Sequence, residues 1–190
     1  MDMHDLGTRT LTTARLSLRR LAVDDAGQMH TNWAGDPEVT TYLTWQPHAT
    51  CADTRDYLAS RVAAYADPAT YDWGIELRDT GQLIGDISVV EADDAIAMKT
   101  IGYCLGRPWW HRGYTSEALA AVISFLIEQV GANRVAASHD PRNVFSGRVM
   151  AACGMRYEGT LRAGDRSNQG LVDSAVYAIL ADDYFADHTA

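Results

Sequence analysis

The chain has 190 residues, 47% hydrophobic and 22% charged, the profile of an ordinary soluble globular protein. That length suits one domain burying roughly 70% of its unfolded surface. A formal net charge of −9 speaks against a general nucleic-acid binder.

No apolar run reaches the ~20 residues of a membrane helix; the longest, from Ala118 to Val130, is interrupted by Ser124 and Glu128. Cys51, Cys104 and Cys153 are odd in number and widely spaced, which argues against a disulfide framework and a zinc site. The start, Met1-Asp2-Met3-His4-Asp5, is acidic and leads into no apolar segment. With no secretory signal visible, the expected location is cytoplasmic, with no membrane or nucleic-acid partner and no metal.

In chain order, Ala14 to Leu21 alternates apolar and polar residues, as a half-buried strand does. Asp24-Asp25 caps a short helix reaching about Trp33, and Asp36-Pro37 starts another helical turn. Trp45 to Ala49 reads as a loop. Thr50, with Asp53 three residues on, predicts a capped helix to about Ala66, ended by Asp67-Pro68. Tyr71 to Leu77 and Leu83 to Val90 form an antiparallel hairpin across Asp79-Thr80-Gly81-Gln82. Glu91 to Met98 reads as an acidic loop, and Thr100 to Leu105 as the next strand.

A long helix follows. Leu119, Val122, Ile123, Leu126, Ile127 and Val130 share one of its faces, and Gly131 stops it. Asn133 to Ser138 is a short strand, and His139 to Asn143 turns into a helix that Gly154 ends. Met155 to about Arg166 and Leu171 to Leu180 make a last hairpin across Ser167-Asn168-Gln169-Gly170. The order predicts a single α+β domain over residues 1–190, largely antiparallel with one parallel crossover. No repeat or linker divides it.

The segment Leu105-Gly106-Arg107-Pro108-Trp109-Trp110-His111-Arg112-Gly113-Tyr114-Thr115 carries the most chemistry. A strand, a glycine-containing turn and a helix start expose unpaired backbone N–H groups to an anion. His111, Arg112 and the Thr115 hydroxyl stand on that turn. Residues 1–99 hold 16 acids against 8 bases, whereas residues 107–166 hold 8 arginines against 5 acids. An acidic body with a locally basic turn suits an anionic cofactor and a cationic substrate; chance clustering on a solvated surface is the plainer alternative. Further on, Asn143, Ser146 and Met150 fall on one helix face.

Taken with Thr13 to Arg19, Gly81 to Ile87 and Tyr157-Glu158-Gly159, these segments resemble the GNAT superfamily of acyl-CoA-dependent N-acyltransferases over nearly the whole chain. The likeness is strongest to the branch that includes the ribosomal-protein-alanine N-acetyltransferases. The superfamily's pyrophosphate motif is Gln/Arg-x-x-Gly-x-Gly/Ala. Gly113 matches its first glycine, Trp110 stands where Gln or Arg would, and Thr115 replaces the last small residue.

The resemblance implies a mixed, mostly antiparallel sheet of about seven strands with a splayed parallel pair and flanking helices. It implies acetyl-CoA as acyl donor and direct transfer of the acetyl group in a ternary complex. The acceptor would be a primary amine: a protein N-terminus, an amino acid, a polyamine or an amine antibiotic. Dimers are common in the branch, so a homodimer is a further expectation. Backbone near Tyr103 and Leu105 would pair with the pantetheine arm. The turn Trp110, His111, Arg112, Gly113, Tyr114 and Thr115 would hold the pyrophosphate, and Asn143 and Ser146 would meet the arm. Arg112 or Arg107 would reach the ribose phosphate.

Many members carry a Tyr seven residues after the motif Asn as the acid for the departing thiolate. Met150 occupies that place, leaving Ser146 as the candidate acid. His139, at a strand end, is the candidate base, with capping of the Asp140-Pro141 turn as its other reading. Asp86, Glu76 and Glu91 are carboxylates able to act through water. Trp33, Trp45 and Tyr42 fall in the part that lines the acceptor pocket in this fold. A CoA-binding sensor or scaffold without turnover is the alternative reading of the same chain.

Overall fold

The computed structural model describes residues 3–188. It contains one eight-stranded sheet, order β1-β2-β3-β4-β5-β6-β8-β7. The strands are β1 (Leu11–Thr12), β2 (Leu16–Arg19), β3 (Asp72–Leu77), β4 (Leu83–Asp93), β5 (Met98–Leu105), β6 (Arg134–His139), β7 (Arg156–Ser167) and β8 (Gly170–Leu180). The helices are α1 (Ala26–Met29), α2 (Pro37–Thr40), α3 (Cys51–Ala64), α4 (Tyr114–Ser124), α5 (Val144–Ala152) and α6 (Ala181–His188). α1 continues as a π-helical turn over His30–Ala34, and α4 over Phe125–Val130.

The expected α+β class and its mixed sheet are borne out, with eight strands where about seven were expected. The addition is β1, a two-residue pairing onto β2. Three other expectations need correction. The acidic stretch from Glu91 is not a loop: β4 runs on to Asp93, and its outward bulge at Val90 lets pairing with β5 resume. Its charged side chains point into solvent on an extended hairpin. Ala97, at φ 49°, closes that hairpin. α3 ends at Ala64, and α6 was not foreseen because it begins at Ala181 directly after β8 ends at Leu180, with no turn between them to mark it.

Local chemistry explains the starts of these elements. The Thr50 Oγ1 accepts from Asp53 N, and Asp53 Oδ2 accepts from Thr50 N at 2.8 Å, a reciprocal cap on α3. Asp36 Oδ1 accepts from Glu38 N at 2.9 Å and starts α2. The apolar stripe of α4 packs Leu119, Val122, Phe125 and Leu126 onto Tyr71, Trp73 and Ile87 of the sheet. A second cluster, with Met29, Trp33, Leu58, Leu83 and Cys104, fills the opposite face under α1 and α3.

The one parallel pair positions the site. β5 and β6 pair only at Met98↔Arg134, Lys99↔Val135 and Thr100↔Ala136. Beyond that point each strand continues against its other neighbour, β5 with β4 and β6 with β8. The facing edges therefore part, leaving a V that opens toward the carboxyl ends of both strands.

Candidate functional site

The V leads to the start of α4. Gly113 holds φ 77°, a left-handed conformation that reverses the chain into the helix, and no side chain caps the helix end. The first-turn N–H groups of α4 thus face outward without intrahelical partners. Glu117 anchors this turn from below. Its carboxylate accepts from Thr13 Oγ1 at 2.6 Å, Arg15 N at 2.8 Å and Arg15 Nε at 2.6 Å. The Arg15 guanidinium lies 4.4 Å over the Tyr114 ring and donates to the Arg112 carbonyl at 2.9 Å. Trp110 folds back, its Nε1 donating to Leu105 O at 2.6 Å, and so closes the end of β5.

The residues expected to hold a phosphate sort into two groups. Arg112 is exposed and makes no ion pair among the described residues. Arg107, the alternative, is occupied: its Nε meets Asp36 Oδ2 at 2.6 Å and its Nη1 meets Glu38 Oε2 at 3.0 Å. That pairing was invisible in the sequence, since 71 positions separate Arg107 from Asp36. His111 packs edge-on against the exposed Phe145 at 4.5 Å between ring centroids. Thr115 lies half-buried in the first turn of α4.

Across the V stands the start of α5. Asn143 occupies its N-cap position, half-buried, and its carboxamide makes no hydrogen bond among the described residues. Ser146 faces β5, where its Oγ lies 2.9 Å from the Tyr103 hydroxyl, which also lies 3.1 Å from the Ser146 carbonyl. The turn before α5 is held by Asp140, whose Oδ1 accepts from Arg142 N and Nε, each at 2.9 Å. Met150 is buried in the core.

His139 lies on the face of the sheet away from α1 and α3. By strand alternation it shares the α4/α5 face with Val135 and Ala137. Its ring stacks near Tyr177, with centroids 5.6 Å apart, and Nδ1 lies 2.8 Å from the Asp140 carbonyl. Nε2 is buried without a partner beneath Gly147, where an added Cβ would come within 2.7 Å of it. Pro141, Gly147, Tyr157 and Tyr177 line an open cavity of about 380 Å³ beside this ring.

The opposite face holds a different constellation. Asp86 on β4 is opposite Cys104 on β5, and the Cys104 thiol donates to Asp86 Oδ1 at 2.8 Å. Burial pushes the Asp86 carboxyl up to about 7; the neighbouring Asp72 charge adds to the rise, and the Cys104 and Trp33 donors oppose it. The Trp33 indole N–H, wholly buried, meets no partner at full hydrogen-bond geometry. Asp72 is itself paired with Arg61 Nε at 2.6 Å. Tyr57 lies close enough that burial, and then the Asp86 charge, raise its phenol.

Sequence reading named Asp86 only as one carboxylate among three. Its position between Gly85 and Ile87, in the buried first half of the strand, was the available signal. Of the three aromatic residues expected at an acceptor pocket, Trp33 is core, Trp45 packs half-buried against that core, and Tyr42 is exposed with Arg142 5.9 Å over its ring. Asn168, in the β7–β8 turn, donates to Thr40 O at 2.7 Å and so ties that hairpin to this loop.

Comparisons with known proteins agree with this geometry. The family model described as an acetyltransferase (GNAT) domain matches residues 15–156. An uncharacterized N-acetyltransferase, p20, of Bacillus licheniformis is 29% identical over 175 residues, covering 92% of this chain and 98% of that protein. The uncharacterized N-acetyltransferase YoaA of Bacillus subtilis is 30% identical over 170 residues, covering 90% and 96%. A GNAT-family acetyltransferase from Bacillus anthracis superposes with a TM-score of 0.81 at 25% identity, covering 92% of this chain and 99% of that one.

Proposed function

The chain belongs to the GNAT acetyltransferase family and is an N-acetyltransferase, and on that premise we propose that it transfers an acetyl group from acetyl-CoA directly to a primary amine. The observation that carries this reading is the V between β5 and β6, open from Thr100↔Ala136 to the uncapped start of α4. Residues 1–190 act as one domain in this proposal. The pyrophosphate rests on the N–H groups of residues 111–115 with Arg112 beside it. The pantetheine arm lies in the V along Tyr103 to Leu105, and the free carboxamide of Asn143 meets one of its amides.

The amine approaches from the α1–α3 face, where Asp86 stands. An α-amino group has a pKa near ~7.7–8.0 and a lysine-like amine near ~10.4, so each must lose a proton before attack. A carboxyl pushed up to about 7 is matched to that task at neutral pH. Asp86, directly or through water, is therefore the proposed base, and His139 on the other face is a wall of the arm's channel. The better match to an α-amino group puts peptide N-termini and amino acids ahead of polyamines as acceptors. N–H groups left unpaired along the β5 edge would stabilise the oxyanion, a contribution of ~2.7–4 kcal/mol per donor.

Thiol release from acetyl-CoA over a panel of amines tests the reading, alongside calorimetric titration of acetyl-CoA. Amine-dependent release supports it. Tight acetyl-CoA binding with no release on any amine would leave a CoA sensor in its place.

A further inference from the structure

We propose that the phenol of Tyr103 is a catalytic residue of this site, donating a hydrogen bond to the CoA sulfur as it departs. The inference rests on the acetyl-CoA reading above and adds the group that meets the leaving atom.

Tyr103 lies three residues past Thr100, and His139 three past Ala136, the last pair joining β5 to β6. The two residues therefore stand opposite each other across the V, on the same face of the sheet. Consecutive residues of α5 cover them: Ser146 bonds the Tyr103 hydroxyl, and Gly147 sits over His139 Nε2. A chain threaded through the V toward its closed end passes between these two side chains.

The groups there differ in what they can donate. A carbonyl can only accept, so the 2.8 Å contact with Asp140 O uses a proton on His139 Nδ1. His139 Nε2 is buried beneath Gly147 of α5, where it meets no partner. Met150 is a buried thioether with no proton to offer. Cys104 points to the other face, toward Asp86. The Tyr103 and Ser146 hydroxyls remain, 2.9 Å apart, and the phenol donates to the Ser146 carbonyl at 3.1 Å until rotation about its C–O bond turns that proton to the sulfur. The phenol is by far the more acidic hydroxyl and the stronger donor. Burial raises its pKa further, so it stays protonated through the neutral range. Ser146 positions it.

The step balances as follows. The amine nitrogen forms a bond to the thioester carbon, and the C–S bond breaks with its electron pair going to sulfur. The proton leaving nitrogen passes to Asp86 and then to solvent. Burial holds the Tyr103 phenol above its usual value, so Tyr103 keeps its proton as the thiolate forms. It acts as a charge-assisted donor to the forming thiolate. CoA leaves as the thiolate and takes up a proton from water according to its own pKa.

The test is Tyr103→Phe, which keeps the ring and removes one hydroxyl. With acetyl-CoA and an accepted amine, kcat is expected to fall about 10²-fold, as loss of one such donor does. KM for acetyl-CoA should stay within about three-fold. A second readout needs no turnover. Free CoA bound to the wild type should titrate its thiol, followed by the ultraviolet thiolate band, at lower pH than CoA bound to Tyr103→Phe. Ser146→Ala, which removes the Oγ partner and leaves the backbone carbonyl of residue 146 in place, should fall between the two on both measures. Unchanged kcat and an unchanged thiol titration in Tyr103→Phe would overturn the proposal. A wild type that binds CoA but acetylates no amine would remove the transferase reading, while the thiol titration would still decide Tyr103.

Discussion

Asp86 carries its chemistry through burial. A carboxyl with an ordinary value of 3.8 is raised to about 7, first by burial and then by the Asp72 charge. Its ionised form is the proposed base, so on that proposal kcat/KM should rise with pH through about 7. Stability runs the other way. Unfolded, the group loses its proton near 3.8; folded, it holds that proton to about 7. The folded state binds more protons between those values. The contribution to stability is therefore full below the lower value and is lost as pH rises through the upper one. Asp86→Asn should erase the inflection in the rate profile, lower the rate about 10²-fold, and flatten the fall in Tm over that window. A retained inflection in the variant would assign the base elsewhere.

The arginines make a second residue-scale contrast. Arg107 is held by Asp36 and Glu38, whereas Arg112 has no ion-pair partner among the described residues. Arg112→Ala should weaken acetyl-CoA about ten-fold, and Arg107→Ala by less than two-fold, as removal of a phosphate contact differs from removal of a solvated surface pair. Titration calorimetry separates the two. For the ribose phosphate the sequence offers either arginine, since both flank the turn; the contact with a distant acidic loop distinguishes them.

At the scale of elements, the start of α4 depends on one backbone conformation. Gly113 at φ 77° turns the chain, and an added Cβ there would meet Arg15 Nη2 at an ordinary 3.5 Å. Space is available, so any penalty comes from the left-handed backbone, about 1–2 kcal/mol for a residue with a Cβ. Gly113→Val should lower Tm modestly yet weaken acetyl-CoA binding about ten-fold or more, because the N–H groups lose their common aim. Unchanged affinity would remove this turn as the phosphate site.

The elements themselves were largely legible: the Thr50/Asp53 cap, the α4 stripe and the Gly131 stop all lie where periodicity and capping place them. The local pattern does not mark where a strand runs past its apolar half or where a helix follows a strand directly. β4 continues through charged residues after its bulge, and α6 follows β8 without a break. Pairing with β5 and docking against Glu128 through Tyr184 hold these segments, and neither contact leaves a mark in the local sequence.

Across the whole molecule, two apolar clusters pack on opposite faces of one sheet, and the proposed transfer passes through the gap between β5 and β6. Such a gap lacks one row of ladder bonds, so a ligand lying in it should stabilise the fold as a whole. Acetyl-CoA at about a hundred times its Kd should add about 2.7 kcal/mol, read as a rise in Tm. Hydrogen exchange should slow most at Tyr103 to Leu105 and Ala137 to His139. Protection confined to α6 would place the ligand elsewhere. Among the described residues no helix is long and apolar enough to cross a membrane.

The sequence by itself determined the order of elements, the glycine turn that opens α4, and the Asn143–Ser146 face beside it. These depend on capping, periodicity and conformational preference, which act over a few residues. Tertiary structure alone decided that β5 and β6 part after three pairs, that Tyr103 meets Ser146 and that Arg107 is tied to Asp36. It also decided that His139 and Asp86 stand on opposite faces of the sheet. Those outcomes follow from register and from burial. Both are set by contacts between segments tens of residues apart, and a carboxyl's proton affinity answers to that surrounding and not to its neighbours in the chain.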